Sequence, residues 1–415
     1  MSAPCVDDVW RREAPHVLGA LLRRHGDYGD CEDAAQEALV AALQQWPLDG
    51  TPDNPRGWLV RVASRRLVDR QRARTTRERR ELTDALATRL DEDAQRAVDG
   101  PGVATDRDDS LRLLLMCCHE SLSRPSQVAL TLRAVSGLSV EAIAAAYLVP
   151  ARTMTQRLTR ARATLREAGA RFTMPTPEEL PARVAAVLDV CHLVFNEGYT
   201  RTSGDRLVDT DLADEAIRLT RLLHEALPDH DEVSGALALM LLTHARTASR
   251  VDGAGGLVPL SDQDRTHWDR AMIADGVALL EEVLPRGHAG RYQLQAAIAA
   301  VHAEACTWPE TDWLQISLLY AMLHDVAPSP AVTLNRAVAV GMARGPTDGL
   351  ALVDTLLDDP AMRRHHRTHA VRAHLLEMAG DTDAALPAYR EAARLTASLP
   401  EQRYLNAQVD RLSRS

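Results

Sequence analysis

A chain of 415 residues with 46% hydrophobic and 26% charged side chains has length for about three domains and cannot be disordered throughout. Aromatic residues make up only 4%, Phe occurs twice, and Ala, Leu and Arg dominate, which disfavours a β-sandwich or barrel and favours an all-α fold. The net charge of -10 is uneven: residues 1–171 carry 26 Arg against 24 acidic residues, residues 172–415 carry 22 against 34, and Lys is absent.

Met1 to Trp10 is acidic and polar, unlike a signal peptide, and no apolar run approaches the roughly 18 residues of a membrane helix. The first helix with a readable division of faces covers Cys31 to Trp46. Ala35, Ala38, Leu39, Ala42, Leu43 and Trp46 are expected to form its buried face. Asp33, Gln36 and Glu37 fall opposite, with Val40 exposed beside them, and such an acidic face with one apolar residue suits a basic partner. Acids in a first helical turn also complement the helix dipole, which accounts for Asp33 better than for Glu37.

A second helix follows over Asp53 to Arg74, with Pro55 in its first turn. Leu59, Val62, Ala63 and Leu67 are expected inside, whereas Trp58, Arg61, Arg65 and Arg72 share another face. Arg66 adds to this basic run, in which Arg56 to Arg80 holds ten Arg and two acids. Arginines that grip phosphates beside an aromatic that stacks on an unpaired base would suit opened DNA. A tryptophan in the core and a solvated arginine face are the alternatives. Residues 1–80 therefore read as one helical unit. The stretch 81–110 then carries nine acids around Gly100, Pro101 and Gly102 and reads as an acidic linker.

The second helical unit spans 111–171. Its centre is Ser139 to Arg166: a short helix from Val140 with Ser139 as N-cap, a break at Pro150, and a longer basic helix. Met154, Leu158, Ala161 and Leu165 make one apolar stripe on that helix. Opposite lie Arg152, Gln156, Thr159 and Arg160. Helix, tight turn and basic second helix compose a helix-turn-helix, whose second helix enters the major groove with its first residues at base edges. Arg152, Thr153 and Gln156 are the expected base readers, because Arg and Gln pair bidentately with guanine and adenine, and Arg157, Arg160 and Arg162 fall nearer phosphates. A solvated amphipathic helix is the plain alternative.

Pro175, Pro177 and Pro181 mark 172–182 as a hinge, and 183–415 reads as one long run of helices. Ala373, Leu376, Gly380, Ala385, Tyr389 and Ala392 have tetratricopeptide (TPR) spacing; Ala216, Thr220, Leu223, Pro228 and Ala236 form a degenerate copy, and 335–357 a third. An irregular helical domain would use the same small residues for packing.

With these motifs on the page, the chain resembles a sigma-70 family RNA polymerase sigma factor of the extracytoplasmic-function (ECF) group. GLSVEAIAAAYLVPARTMTQRLTRAR is similar to region 4, which reads the promoter -35 element; Leu148 stands where many such turns have Gly. Asp33, Gln36 and Glu37 match the region 2.2 surface that docks on the β′ clamp helices of core polymerase. The Trp58–Arg72 surface matches regions 2.3 and 2.4, which recognise and open the -10 element. The resemblance covers residues 1–171, and the remainder resembles the TPR-like extension of one ECF subgroup, to which Cys117-Cys118-His119 and Val194 to Tyr199 are also similar.

This resemblance implies two small sigma domains followed by a TPR-like array, a cytoplasmic location, and contacts with core polymerase (β′ clamp helices and β flap) and promoter DNA. It implies no catalytic residue, cofactor or metal, since polymerase supplies the chemistry. The extension is expected to regulate and to take a peptide or protein ligand. The rival reading is a helix-turn-helix adaptor that binds duplex DNA without polymerase, its TPR part a scaffold. Other constellations are thinner. The scattered cysteines contain no C-x-x-C, and Cys117, Cys118 and His119 are adjacent and so face different ways on a helix. His365 and His369 are an i, i+4 pair with no acidic third ligand nearby in sequence. Asn196, Glu197 and Tyr199 either line a groove or close a helix end.

Overall fold

The structure, a computed structural model, describes residues 5–75 and 103–414. Helices dominate, and the strands among the described residues are two-residue segments, β1 (Ser203–Gly204) and β2 (Ala397–Ser398), paired in parallel. Contacts gather the chain into two compact units, Met1–Cys191 and His192–Ser415.

The first unit begins with a three-helix bundle: α1 (Val6–His25), α2 (Tyr28–Asp49) and α3 (Pro55–Thr75). Asp27 caps α2 by accepting from the Asp30 amide at 2.8 Å. Val17 and Leu21 of α1, Ala34, Ala38 and Ala42 of α2, and Leu59, Ala63 and Leu67 of α3 are buried. The alanines of α2 allow close helix approach. Ala35, Ala38, Ala42 and Trp46 of the expected face are buried, but the face is wider than expected: Cys31, Ala34 and even Glu32 are inside, while Leu43 is 46% exposed. Two arginines described below make the burial of Glu32 possible.

The second bundle contains α4 (Val103–Cys117), α5 (Arg124–Ala134), α6 (Val140–Ala146) and α7 (Ala151–Glu167). Residues 81–102 of the expected linker lie outside the described residues. Its last residues, from Val103, are helical. Asp109 is not a linker acid but a buried one, ion-paired with Arg23. It lies against Gly19 of α1, where a Cβ would come within 2.8 Å of the Asp109 side chain.

The proline-rich segment 172–182, expected as the hinge, lies within the first unit, and α8 (Leu180–Tyr199) begins inside it. Side chains hold this stretch: Arg183 donates to the Leu115 carbonyl at 3.3 Å, and Arg124 donates to the Ala186 carbonyl at 3.0 Å and pairs with Asp189.

The second unit is a succession of antiparallel helices, each packed on the next: α9 (Thr210–Ala226), α10 (Asp231–His244), α11 (Arg270–Val283), α12 (Arg291–Glu304), α13 (Trp313–Val326), α14 (Pro330–Arg344), α15 (Pro346–Leu356), α16 (His366–Met378), α17 (Thr382–Leu395) and α18 (Leu399–Leu412). Ala373 and Leu376 of α16 pack with Ala385, Tyr389 and Ala392 of α17 in one buried cluster. Gly380 makes the turn between them at φ +79°, a conformation that favours glycine. In the pair α14 and α15, a Cβ on Gly349 would stand 3.0 Å from the Gly341 Cα, so these helices cross nearly backbone to backbone.

Candidate nucleic-acid and polymerase interface

The helix-turn-helix forms as expected. Ser139 caps α6, accepting from the Ala142 amide at 3.0 Å, and Met154, Leu158, Ala161 and Leu165 of α7 are all buried. The turn enters the left-handed region at Leu148, φ +50°. Its side chain costs on the order of 1 kcal/mol there, and the turn retains its geometry regardless. Amide donation from Leu148 and Val149 back to the Ala145 and Ala144 carbonyls closes α6, which offsets that strain.

The outer side of α7 divides along its length. Arg152, Thr153, Gln156 and Arg160 are exposed, Arg157 is half-buried, and none of their side chains makes a hydrogen bond or ion pair among the described residues. Further along, Arg162 does not stand free for phosphates. It pairs with Glu32 at 2.6 Å and Asp33 at 3.0 Å. Arg166 grips Asp27 with two donors, at 2.8 and 3.0 Å. Arg133 reaches Glu32 from α5 at 3.2 Å. Thus α7 lies on α2 through charge pairs around Glu32, which is 2% exposed. The Arg166 hydrogen bonds are the main cause holding the Asp27 carboxyl below the usual carboxylate range.

Asp33, Gln36 and Glu37 lie together on the outer face of α2, with Val40 52% exposed beside them. Asp33 also faces Arg70 at 3.7 Å, and Glu37 pairs with Arg70 and stands 3.8 Å from Arg66. The acidic face is therefore partly neutralised by α3 and α7. On α3, Arg61 and Arg65 are exposed and unpaired, Arg66 is exposed, and Arg72 is half-buried with partners of its own. Trp58 is half-buried: it meets Trp46 edge to face with ring centroids 5.3 Å apart. It is neither a core tryptophan nor a free one. Both indoles line a cavity of about 370 Å³ with Gln45, Asp49, Thr51 and Asp53. The lining is more polar than apolar, so hydrogen-bonding groups stand beside the two indoles, which suits a planar ring that also carries hydrogen-bonding atoms.

Sequence reasoning missed Asp27, Glu32, Arg133 and Arg166. Glu32 sits in a run of acids, and nothing local distinguishes it from Asp30 or Asp33; its partners come from α5 and α7, far along the chain.

The remaining constellations have structural explanations. Burial pushes the Cys118 thiol up to about 12 and the Cys117 thiol well above its ordinary range, so both stay neutral. The histidines face separate partners: His366 lies 3.0 Å from Glu401, and His369 contacts the Arg363 carbonyl at 2.8 Å. Asn196 to Tyr199 close a helix end. A Cβ on Gly198 would stand 2.5 Å from the Ala213 amide, and the buried Glu197 accepts from the Thr202 hydroxyl at 3.1 Å.

Comparison with known proteins adds to this geometry. Residues 9–77 match sigma-70 region 2, and residues 112–165 match sigma-70 region 4. The chain thus carries two segments similar to sigma-70 regions 2 and 4. Residues 183–284 match a family of unknown function, DUF6596. The uncharacterized protein R00370 of Rhizobium meliloti is 42% identical over 399 residues, which span 96% of this chain and 94% of that protein. The probable ECF RNA polymerase sigma factor SigI of Mycobacterium tuberculosis is 33% identical over 162 residues, 39% of this chain and 54% of SigI. The likeness to SigI thus concerns a minority of this chain, and the rhizobial likeness nearly all of it. Among the described residues, no helix is long and apolar enough to cross a membrane.

Proposed function

We propose that this chain is a sigma-70 family protein, an ECF-type sigma factor that brings core RNA polymerase to a two-element promoter. The observation that carries the reading is the division of α7: Arg152, Thr153 and Gln156 at its start, where a recognition helix meets base edges, are exposed and unpaired among the described residues, while its apolar stripe is buried and Arg162 and Arg166 further along are ion-paired. Arg152, Thr153 and Gln156 read the upstream element, and Arg157 and Arg160 hold its phosphates. Arg61, Arg65, Arg66 and Arg72 track the downstream strand, and a base displaced from the duplex enters the cavity that Trp46 and Trp58 line on one side. Stacking there is worth roughly 1–3 kcal/mol per base. Asp33, Gln36 and Glu37 dock on the basic clamp of polymerase. Because Arg162 and Arg70 already occupy part of that face, polymerase must displace the chain's own arginines to engage it.

The extension acts as a TPR-like regulatory domain. Its hairpins built on Ala373–Tyr389 and on the Gly341–Gly349 crossing support this reading. So does an apolar ridge on α13, where Leu314, Leu318, Met322 and Val326 are each more than half exposed at four-residue spacing. Asp312 and Asp325 stand exposed near its ends, which fits a partner helix with an apolar face and basic flanks.

The test is binding of the full-length protein to core polymerase, compared with Asp33→Arg, Glu37→Arg. Wild-type binding that the double substitution abolishes supports the reading. Equal binding by both proteins, or by neither, overturns it.

A further inference from the structure

Arg246 follows directly on α10, and Arg250 lies one turn beyond. Both guanidinium groups stand against one ring: Arg250 at 3.6 Å and Arg246 at 5.8 Å from the Tyr199 centroid. Phe195 stacks on the same tyrosine at 5.7 Å. Arg250, 7% exposed, uses its donors on the Tyr199 carbonyl and, at 2.8 Å, on the Thr200 hydroxyl. A third arginine, Arg265, is 5% exposed and is likewise committed: it donates to the His302 and Ala305 carbonyls at 2.8 and 2.6 Å. These two are structural clamps. Arg246 is different. It makes no hydrogen bond among the described residues, and its Nε is buried without a partner.

No carboxylate lies within 4 Å of any of the three among the described residues, although residues 172–415 carry 34 acids against 22 arginines. The field of Arg246 is felt by Arg250, Arg265, His302 and Tyr320, so the positive groups share one neighbourhood. His302 adds no negative charge to it: burial, reinforced by Arg246 and Arg265, holds its imidazole down to about 3, so the ring is neutral, and its Nδ1 is buried without a partner. Buried charge is ordinarily paired, and buried donors ordinarily satisfied. Glu401 and Glu310 act on Arg250 and Arg265 from a distance, but at half-buried Arg246 an unsatisfied buried Nε coincides with a charge that has no carboxylate within 4 Å among the described residues, and its forked guanidinium matches a carboxylate or phosphate head.

We propose that the second unit binds a small oxyanion, of the phosphate or carboxylate class, at Arg246. The anion supplies the missing counter-charge and accepts from the free fork. This site is independent of the promoter-reading surfaces and stands or falls apart from them.

Thermal unfolding of the full-length protein tests it, in sodium phosphate and in sodium acetate, each against sodium chloride at equal ionic strength. A saturable rise in midpoint with at least one oxyanion is expected, and the responding salt identifies a tetrahedral or planar head. Arg246→Gln should lose that rise yet unfold in chloride no earlier than wild type, since it removes a like charge from beside Arg250 and Arg265. Should that variant fail to fold, Arg246→Lys keeps charge but not the fork, and its half-saturating concentration should rise at least about tenfold. The absence of any rise over chloride, or an unchanged rise in either variant, overturns the site.

Discussion

Arg162 and Arg246 are both half-buried arginines with other arginines nearby, yet their surroundings are opposite. Arg162 meets two carboxylates of α2, one of them almost wholly buried. Arg246 stands over an aromatic ring and its field reaches two more arginines, with no carboxylate within 4 Å among the described residues. In the first unit, buried carboxylates balance the arginines that meet them, and α3 and the start of α7 leave exposed positive charge that suits an extended polyanion. In the second, an acidic unit holds a half-buried arginine with no carboxylate within 4 Å among the described residues, which suits a small anion. Net charge describes neither unit; where the counter-charge sits describes both.

The largest expected effect breaks the balanced side. Glu32→Ala removes the carboxylate that Arg133 and Arg162 share, leaving Arg133 nearly buried without it. Removing one partner from a buried ion pair costs about 3–5 kcal/mol. Chemical denaturation should show a loss of that order, and the contact of α7 with α2 should loosen, increasing hydrogen exchange along α7. A loss under about 1 kcal/mol would mean that the charges around Glu32 do not hold the helices together.

Next in size is the open positive charge of the same helix. Arg152→Ala with Gln156→Ala should weaken promoter binding by about 1–3 kcal/mol per lost base contact, with stability unchanged because both side chains are exposed and unpaired. Arg160→Ala should instead weaken binding to all duplexes alike and flatten the salt dependence. Competition between promoter and random DNA separates these outcomes.

Much of this was legible in the sequence. Periodicity located the capped helix-turn-helix and its buried stripe, because both are local properties of residues within one or two turns. The TPR-like spacing of Ala373 to Ala392 likewise marked residues that do pack together. What escaped was pairing across sequence distance. Glu32 reads as one acid among several until α7 folds onto it, and the proline-rich segment 172–182 reads as a break although Arg124 and Arg183 tie the following helix to the first unit. Arg246 was invisible for a related reason: an arginine without a partner looks the same in sequence as one with a partner.

The unbalanced side has a signature in pH. His302 carries a proton below about 3 in the folded protein and below roughly 6.5 in the unfolded chain. Between those values the unfolded state binds the extra proton, so stability falls as pH is lowered through this window, by up to about 1.4 kcal/mol per pH unit. Above the window the dependence disappears. His302→Asn should flatten the slope of stability against pH between about 4 and 6. A bound oxyanion should also reduce it, because a nearby negative charge eases protonation of the ring.

The smallest effect sharpens the contrast between buried and exposed balance. Arg166 and Asp27 form a two-donor pair, but the arginine side chain is 60% exposed. Such a pair is worth about 0.2–1 kcal/mol and is screened by salt. Arg166→Gln should therefore cost a fraction of the Glu32→Ala loss at low ionic strength and almost nothing in high salt, whereas the Glu32 effect should persist. The sign in pH is opposite to that of His302. The Asp27 carboxyl is held below its ordinary range, so its contribution is complete above the ordinary carboxylate value of roughly 4 and is lost as pH falls through the lowered folded value. The stability difference between wild type and Asp27→Asn should accordingly be flat from neutral pH to about 5 and shrink below it. If it persisted undiminished in strong acid, the difference would not come from the ionised Asp27 carboxylate, and the charge pair to α7 would contribute nothing.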